Sequence, residues 1–196
     1  MAAEAERFAH RTHPKVKLIE SGDLAGEDGV ARIYDVVPAL WASIHLAGGF
    51  AAGPVAKTDK SGLMNQIDKN LVTCFLCCKA GAAAIRRAGG GGRIVNVAAR
   101  PALEWRSGAN MAAYAASKAA VAAFTTAFAQ EIVKDGILVN AVAPSIMDTP
   151  ANRKEMPDAD YASWPKVEEV AATILFLASP DNKVTSGAIV PVYGRS

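Results

Sequence analysis

Short apolar runs rich in β-branched residues alternate along this chain with longer helical stretches, and that alternation constrains the fold most. Leu40–Leu46 (LWASIHL), Arg93–Val97 (RIVNV), Ile137–Val142 (ILVNAV) and Ala188–Val192 each read as a strand. Residues 58–88 read as one long helix or two, residues 111–135 as an Ala-rich helix, and Val167–Leu177 as a third. Strands alternating with helices of this length predict an α/β fold, a parallel sheet with helices on both faces. The pattern also predicts a short helix over Val30–Val37 and a strand at Val16–Ile19 (VKLI), after fifteen polar, helix-compatible residues. The glycine run 89–92 should stop the long helix, and Gly136 should end the Ala-rich one in a left-handed turn.

At 196 residues the chain has the length of one domain, and no linker divides it. A content of 51% hydrophobic and 20% charged residues excludes a disordered chain. The net charge of +2 lacks the basic footprint of a nucleic-acid binder. The N-terminus MAAEAERFAHRTHPK has no apolar core of a signal peptide, and no run of 18 uncharged apolar residues predicts a membrane span. Three cysteines, an odd count, point to a reducing, cytoplasmic setting. Cys74, Cys77 and Cys78 fall in the apolar helical context LVTCFLCCKA, so they are expected as core residues and no metal site is expected. His10, His13 and His45 show no ligand spacing.

Tyr114 and Lys118 stand four residues apart at the start of the Ala-rich helix, hence one turn apart on one face. An ammonium beside a phenol favours the phenolate, which would let Tyr114 act as a general acid or base near neutral pH. Such a pair is also compatible with an exposed Tyr and a solvated Lys.

The surroundings decide between these. GGGGRIVNV lies upstream of the pair, and DGILVNAVAPSIMDTPANR and VTSGAIVPVYG lie downstream. Together these segments resemble the short-chain dehydrogenase/reductase family, in order, over nearly the whole chain. Within that family MDTPANRKEMPDADYASW and HLAGGFAAGP look like the dihydropteridine reductase-like bacterial members. That group lacks the family's usual catalytic Ser, and here the matching positions are Ala98 and Ala99; Ser107 is the only hydroxyl between Ala99 and Tyr114.

The resemblance implies a Rossmann-like fold and site roles. Tyr114 would be the proton donor. Lys118 would lower its pKa and hold the nicotinamide ribose. Asn70 would support a proton-relay water, unless it bonds the local backbone. Gly48 would let the cofactor approach the chain, Ile146 and Thr149 would contact the carboxamide, and Asp23 would lie near the adenine. Thr149 before Pro150 also reads as a plain helix N-cap. Trp164 reads equally as a lid residue or a core anchor.

The family's Gly-rich phosphate turn at a helix N-terminus is not matched: GDLAGEDG at 22–29 carries Glu27 and Asp28, which would repel a pyrophosphate. The fold is therefore expected as a single Rossmann-like domain over residues 1–196, truncated at its N-terminus, with weak NAD or NADP binding. The expected function is an NAD(P)H-dependent reductase of a small pteridine-like or carbonyl substrate. The alternative is a cofactor-free pseudoenzyme or scaffold on the same fold. Apolar residues on more than one face of helices 58–88 and 111–135 predict a homodimer or homotetramer.

Overall fold

A computed structural model describes His10, residues 12–37 and residues 39–196. Most of the first fifteen residues, expected to be helix-compatible, lie outside the described ones. The described elements are α1 (Glu27–Tyr34), β1 (Ala42–His45), α2 (Lys60–Ile67), α3 (Thr73–Ala88), β2 (Gly92–Val97), α4 (Ala112–Ile132), β3 (Ile137–Pro144), α5 (Pro150–Glu155), α6 (Val167–Ala178) and β4 (Ile189–Val192). Short 3₁₀ turns fill several connections.

The four strands form one parallel sheet in the order β1-β2-β3-β4. The register sets Ile44 beside Val95 and His45 beside Asn96. Side chains alternate between faces along a strand. Ile94 and Val139 accordingly pack with Cys78, Ile85, Val121 and Ile132 from α3 and α4, while Val95 and Val142 pack with Val170 and Leu177 from α6. Helices thus cover both faces, as the alternation predicts.

Residues 60–88 form a continuous helical run broken by a π-helical stretch, Asp68–Val72. Asp59 caps its start by accepting from Gly62 N at 2.8 Å, and Gly89 ends it at φ 77°. Gly136, at φ 73°, makes the expected left-handed turn before β3. Such turns suit glycine because a Cβ would crowd the backbone.

Two expectations need correction. The Val16–Ile19 run forms no strand, and Leu18 is exposed. A strand without a neighbour has nowhere to send its backbone hydrogen bonds. The short helix spans Glu27–Tyr34 rather than Val30–Val37, because Glu27 and Asp28 suit the first turn and Tyr34 is held by Ser43 Oγ at 2.7 Å.

Candidate active site

The π-helical stretch places Asn70 at the centre of a buried hydrogen-bond cluster. Asn70 Oδ1 accepts from Gly49 N at 3.0 Å; its Nδ2 donates to Gly49 O and to Ser117 Oγ, both at 2.9 Å. Ser117 Oγ in turn donates to Tyr114 O at 2.8 Å. One buried amide therefore ties the turn after β1 to the first turns of α4. The cluster engages distant elements, so the reading of Asn70 as a local backbone bonder is set aside. π-Bulges recur at functional sites because they re-aim side chains within a helix.

Gly48 closes the same cluster. A Cβ built on it would stand 2.8 Å from Asn70 Oδ1 and 3.4 Å from Lys118 Nζ. Lys118 is buried and donates to Val97 O, at the carboxyl end of β2, at 2.8 Å. Burial pushes its pKa down to about 8, with a smaller opposing pull from Cys74. Tyr114 is half-buried, with Phe50 edge-on at a ring separation of 4.9 Å. Among the described residues its phenol has no hydrogen-bond partner, which leaves the proton available to a ligand.

The structure brings Gly48, Asn70, Tyr114 and Lys118 together. It corrects the expected electrostatics: burial pushes the Tyr114 phenol above its ordinary range instead of Lys118 lowering it. The reason is that the Lys118 amine is turned onto Val97 O and is itself desolvated.

Other expected site residues stand apart from this cluster. Asp23 is exposed and closes its own turn by accepting from Ala25 N at 2.9 Å. Thr149 caps α5, accepting from Asn152 N at 3.2 Å, as the plain N-cap reading has it. Ile146 is exposed on the loop after β3. Trp164 is buried against Tyr161, with rings 5.1 Å apart, which makes it an anchor of that loop rather than a lid. Ala98 and Ala99 are buried where β2 ends, and the Ser107 hydroxyl is spent on Glu104 O at 2.7 Å.

Ser117 is the residue that reading the sequence misses. Its signal was present: a Ser inside an Ala-rich helix bonds back to a carbonyl three or four residues earlier, and here that carbonyl belongs to Tyr114. His45 was denied only a ligand role, on its spacing. In the fold its Nδ1 stands 2.8 Å from Asn96 Oδ1 and its Nε2 2.8 Å from Ser43 Oγ.

A family model described as enoyl-(acyl carrier protein) reductase matches residues 2–194. The chain belongs to the short-chain dehydrogenase/reductase family. It is 31% identical over 205 aligned residues to the BbsD subunit of a hydroxy(phenyl)methylsuccinyl-CoA dehydrogenase of Thauera aromatica, covering 98% of this chain and 80% of that one. It is 37% identical to galactitol 2-dehydrogenase of Rhizobium johnstonii, covering 91% of this chain and 74% of that one. A solved structure titled "ElxO with NADP Bound" shares the fold at a TM-score of 0.82 and 24% identity, over 97% of this chain and 84% of that one. The short-chain dehydrogenases/reductases are oxidoreductases that use NAD(H) or NADP(H). Among the described residues no helix is long and apolar enough to cross a membrane.

Proposed function

We propose that the chain is an NAD(P)H-dependent reductase whose acid is Tyr114, acting on a small cyclic or carbonyl substrate. The observation that carries this is the Gly48–Asn70–Ser117–Lys118 cluster, which fixes the start of α4, beside a Tyr114 phenol unpartnered among the described residues. When bound, the nicotinamide supplies hydride. Tyr114 holds the proton that the reduced centre takes up. Among the described residues Lys118 makes one hydrogen bond, to Val97 O, so its remaining N–H groups suit ribose hydroxyls. Asn70 and Ser117 position the helix that carries both, and Gly48 leaves the space that a Cβ would fill.

A nicotinamide therefore fits this half of the site. The other roles, Ile146 and Thr149 toward the carboxamide and Asp23 toward the adenine, rest on resemblance. Among the described residues no Gly-rich turn leads a helix N-terminus onto a pyrophosphate. Each charge-assisted phosphate bond is worth about 1.5–3 kcal/mol. Two or three missing bonds weaken binding by roughly two orders of magnitude or more. The 196 residues alone are accordingly read as a weak binder of NAD(H) and NADP(H), and calorimetric titration showing low-micromolar affinity would refute this.

For the substrate, buried Ala98 and Ala99 offer no hydroxyl, and Tyr114 acts alone. A polarised C=N, as in a quinonoid pteridine, needs less help than a ketone, which favours a pteridine-like substrate. Two of the relatives named above are, by name, a hydroxy(phenyl)methylsuccinyl-CoA dehydrogenase and a galactitol 2-dehydrogenase, which supports a carbonyl. A panel of both, assayed by nicotinamide oxidation, tests the reading. Ala99→Ser should raise ketone turnover more than imine turnover; equal effects would show that Ala99 does not face the substrate.

The reading includes a homodimer or homotetramer in the cytoplasm. Leu63, Met64 and Phe75 are exposed on the α2–α3 run, and Phe75 continues into the Phe124–Phe128 stack of α4. A second copy covering this face would remove that apolar area from water. A monodisperse monomer in sedimentation at micromolar concentration would contradict it.

A further inference from the structure

On the α3–α4 face of the sheet, three residues that the reductase reading leaves without a role converge. His45 ends β1, and Cys74 and Cys78 stand one turn apart on the same face of α3. All three are buried, and their ligand atoms lie within 4.8 Å of one another. The Cys78 Sγ to His45 Nδ1 separation is 3.5 Å. Asn96 Oδ1 reaches both, at 2.8 Å from His45 Nδ1 and 3.3 Å from Cys78 Sγ.

These separations are informative. A tetrahedral zinc site with Zn–S of about 2.3 Å and Zn–N of about 2.0 Å sets its sulfur and nitrogen donors roughly 3.5 Å apart. The Cys78–His45 pair already has that spacing. Cys74 needs to close by no more than about an ångström, within reach of a side-chain rotation. We propose that His45, Cys74 and Cys78 form a site for a thiophilic divalent cation, zinc by ligand type, with the Asn96 carboxamide oxygen as a fourth donor once it draws back about half an ångström from His45 Nδ1.

The charge balance suits a buried position. Two thiols lose their protons as the cation enters, and two thiolates with a neutral imidazole cancel its double charge, so the metal centre itself carries no net charge. Hydrogen-bond logic supports the imidazole's part. Thr125 Oγ1 donates to Val121 O, so it accepts from Asn96 Nδ2, which turns Asn96 Oδ1 toward His45 and Cys78. Without a cation, His45 Nδ1–H donates to that oxygen. With one, Nδ1 turns its lone pair to the ion and Nε2–H donates to Ser43 Oγ, with Tyr34 Oη 3.2 Å away. Metal-ligating histidines are commonly oriented by such a partner on the far ring nitrogen. A cleft of about 280 Å³ on the β1 side, lined by Ser43, His45, Thr73 and Cys77, reaches His45 but neither Cys74 nor Cys78. Cys77 faces Tyr34 and lies outside the donor set.

The test is anaerobic titration of reduced, metal-stripped protein with Co(II), followed by Zn(II). The expected result is one Co(II) per chain with thiolate-to-cobalt absorption in the near ultraviolet and tetrahedral d–d bands, both bleached by zinc. Cys77→Ser should keep these bands, and Cys74→Ser and Cys78→Ser should lose the thiolate absorption in whole or part. A parallel melt should show zinc raising the melting temperature of the wild type and of Cys77→Ser but not of the other two. His45→Gln provides a variant with both thiols intact and should weaken cobalt binding at least about tenfold. Absence of thiolate-to-cobalt absorption in the wild type overturns the proposal, as does absorption that persists unchanged in Cys74→Ser, Cys78→Ser and His45→Gln.

Discussion

Gly48 stands so close to Asn70 that a Cβ on it would lie 2.8 Å from the Asn70 carboxamide oxygen. Real Cβ atoms do not approach oxygen so closely, so any side chain at 48 must displace Asn70, Lys118 or the turn itself. Gly48 is not at positive φ, so the requirement is for space rather than for a left-handed backbone.

Gly48→Ala is therefore expected to fold and to lower kcat by about 10- to 100-fold, the scale of a misplacement near an ångström. Steady-state kinetics of the substrate-dependent oxidation of NADH or NADPH measures it. A kcat within twofold of the wild type would show that the Gly48–Asn70 contact does not set the site.

Asn70 supplies both a donor and an acceptor to Gly49 and a donor to Ser117, and it is almost wholly buried. Asn70→Ala strands these partners. Each unsatisfied buried group costs about 1–3 kcal/mol. Denaturant unfolding should show a loss of at least about 1 kcal/mol, larger than that of Ser117→Ala, which leaves the Gly49 bonds in place. Equal losses in the two variants would contradict this ordering.

Lys118 is held at about 8 by burial, against 10.5 for a free lysine. Below about 8 both the folded and unfolded chains carry the proton, and the burial penalty is fully present. Between about 8 and 10.5 the unfolded chain binds more protons, so this residue's contribution makes stability rise with pH. From pH 8 to pH 9.5 the wild type should gain about 2 kcal/mol relative to Lys118→Met, in which this titration is absent. Cys74 interacts with Lys118 and so titrates differently in the two proteins, and the difference reads this pair; the remaining shifted groups drop out. Parallel pH profiles of unfolding free energy would contradict the burial of the amine.

The sheet was legible because short apolar runs alternating with long helical runs leave little choice of fold. Gly89 and Gly136 were legible for a similar local reason: a left-handed turn after a helix wants glycine. The helical spacing singled out the Tyr114–Lys118 pair, and the resemblance of the segments around it decided its reading. What stayed hidden depended on three-dimensional neighbours. The spacing of Tyr114 and Lys118 does not disclose that Val97 O captures the amine, so the direction of the Tyr114 shift could not be read from it. His45 lies 29 residues from Cys74 in sequence, and only the parallel register of β1 beside β2, with α3 across it, brings them together. Thr149 showed both of its readings in the sequence, and the structure displays the cap. The VKLI run had strand composition but no partner strand, and pairing is not a local property.

The central claim is that Tyr114 donates the proton in a nicotinamide-dependent reduction. The most direct measurement compares wild type and Tyr114→Phe in substrate-dependent oxidation of NADH and NADPH, at cofactor concentrations high enough to offset weak binding. The phenol lacks a hydrogen-bond partner among the described residues, so Tyr114→Phe should fold with nearly unchanged stability. Its kcat should fall by about 10²- to 10⁴-fold, the usual worth of a positioned general acid. A wild type that oxidises neither cofactor with any ketone or imine of the panel, or a Tyr114→Phe variant as active as the wild type, would contradict the account.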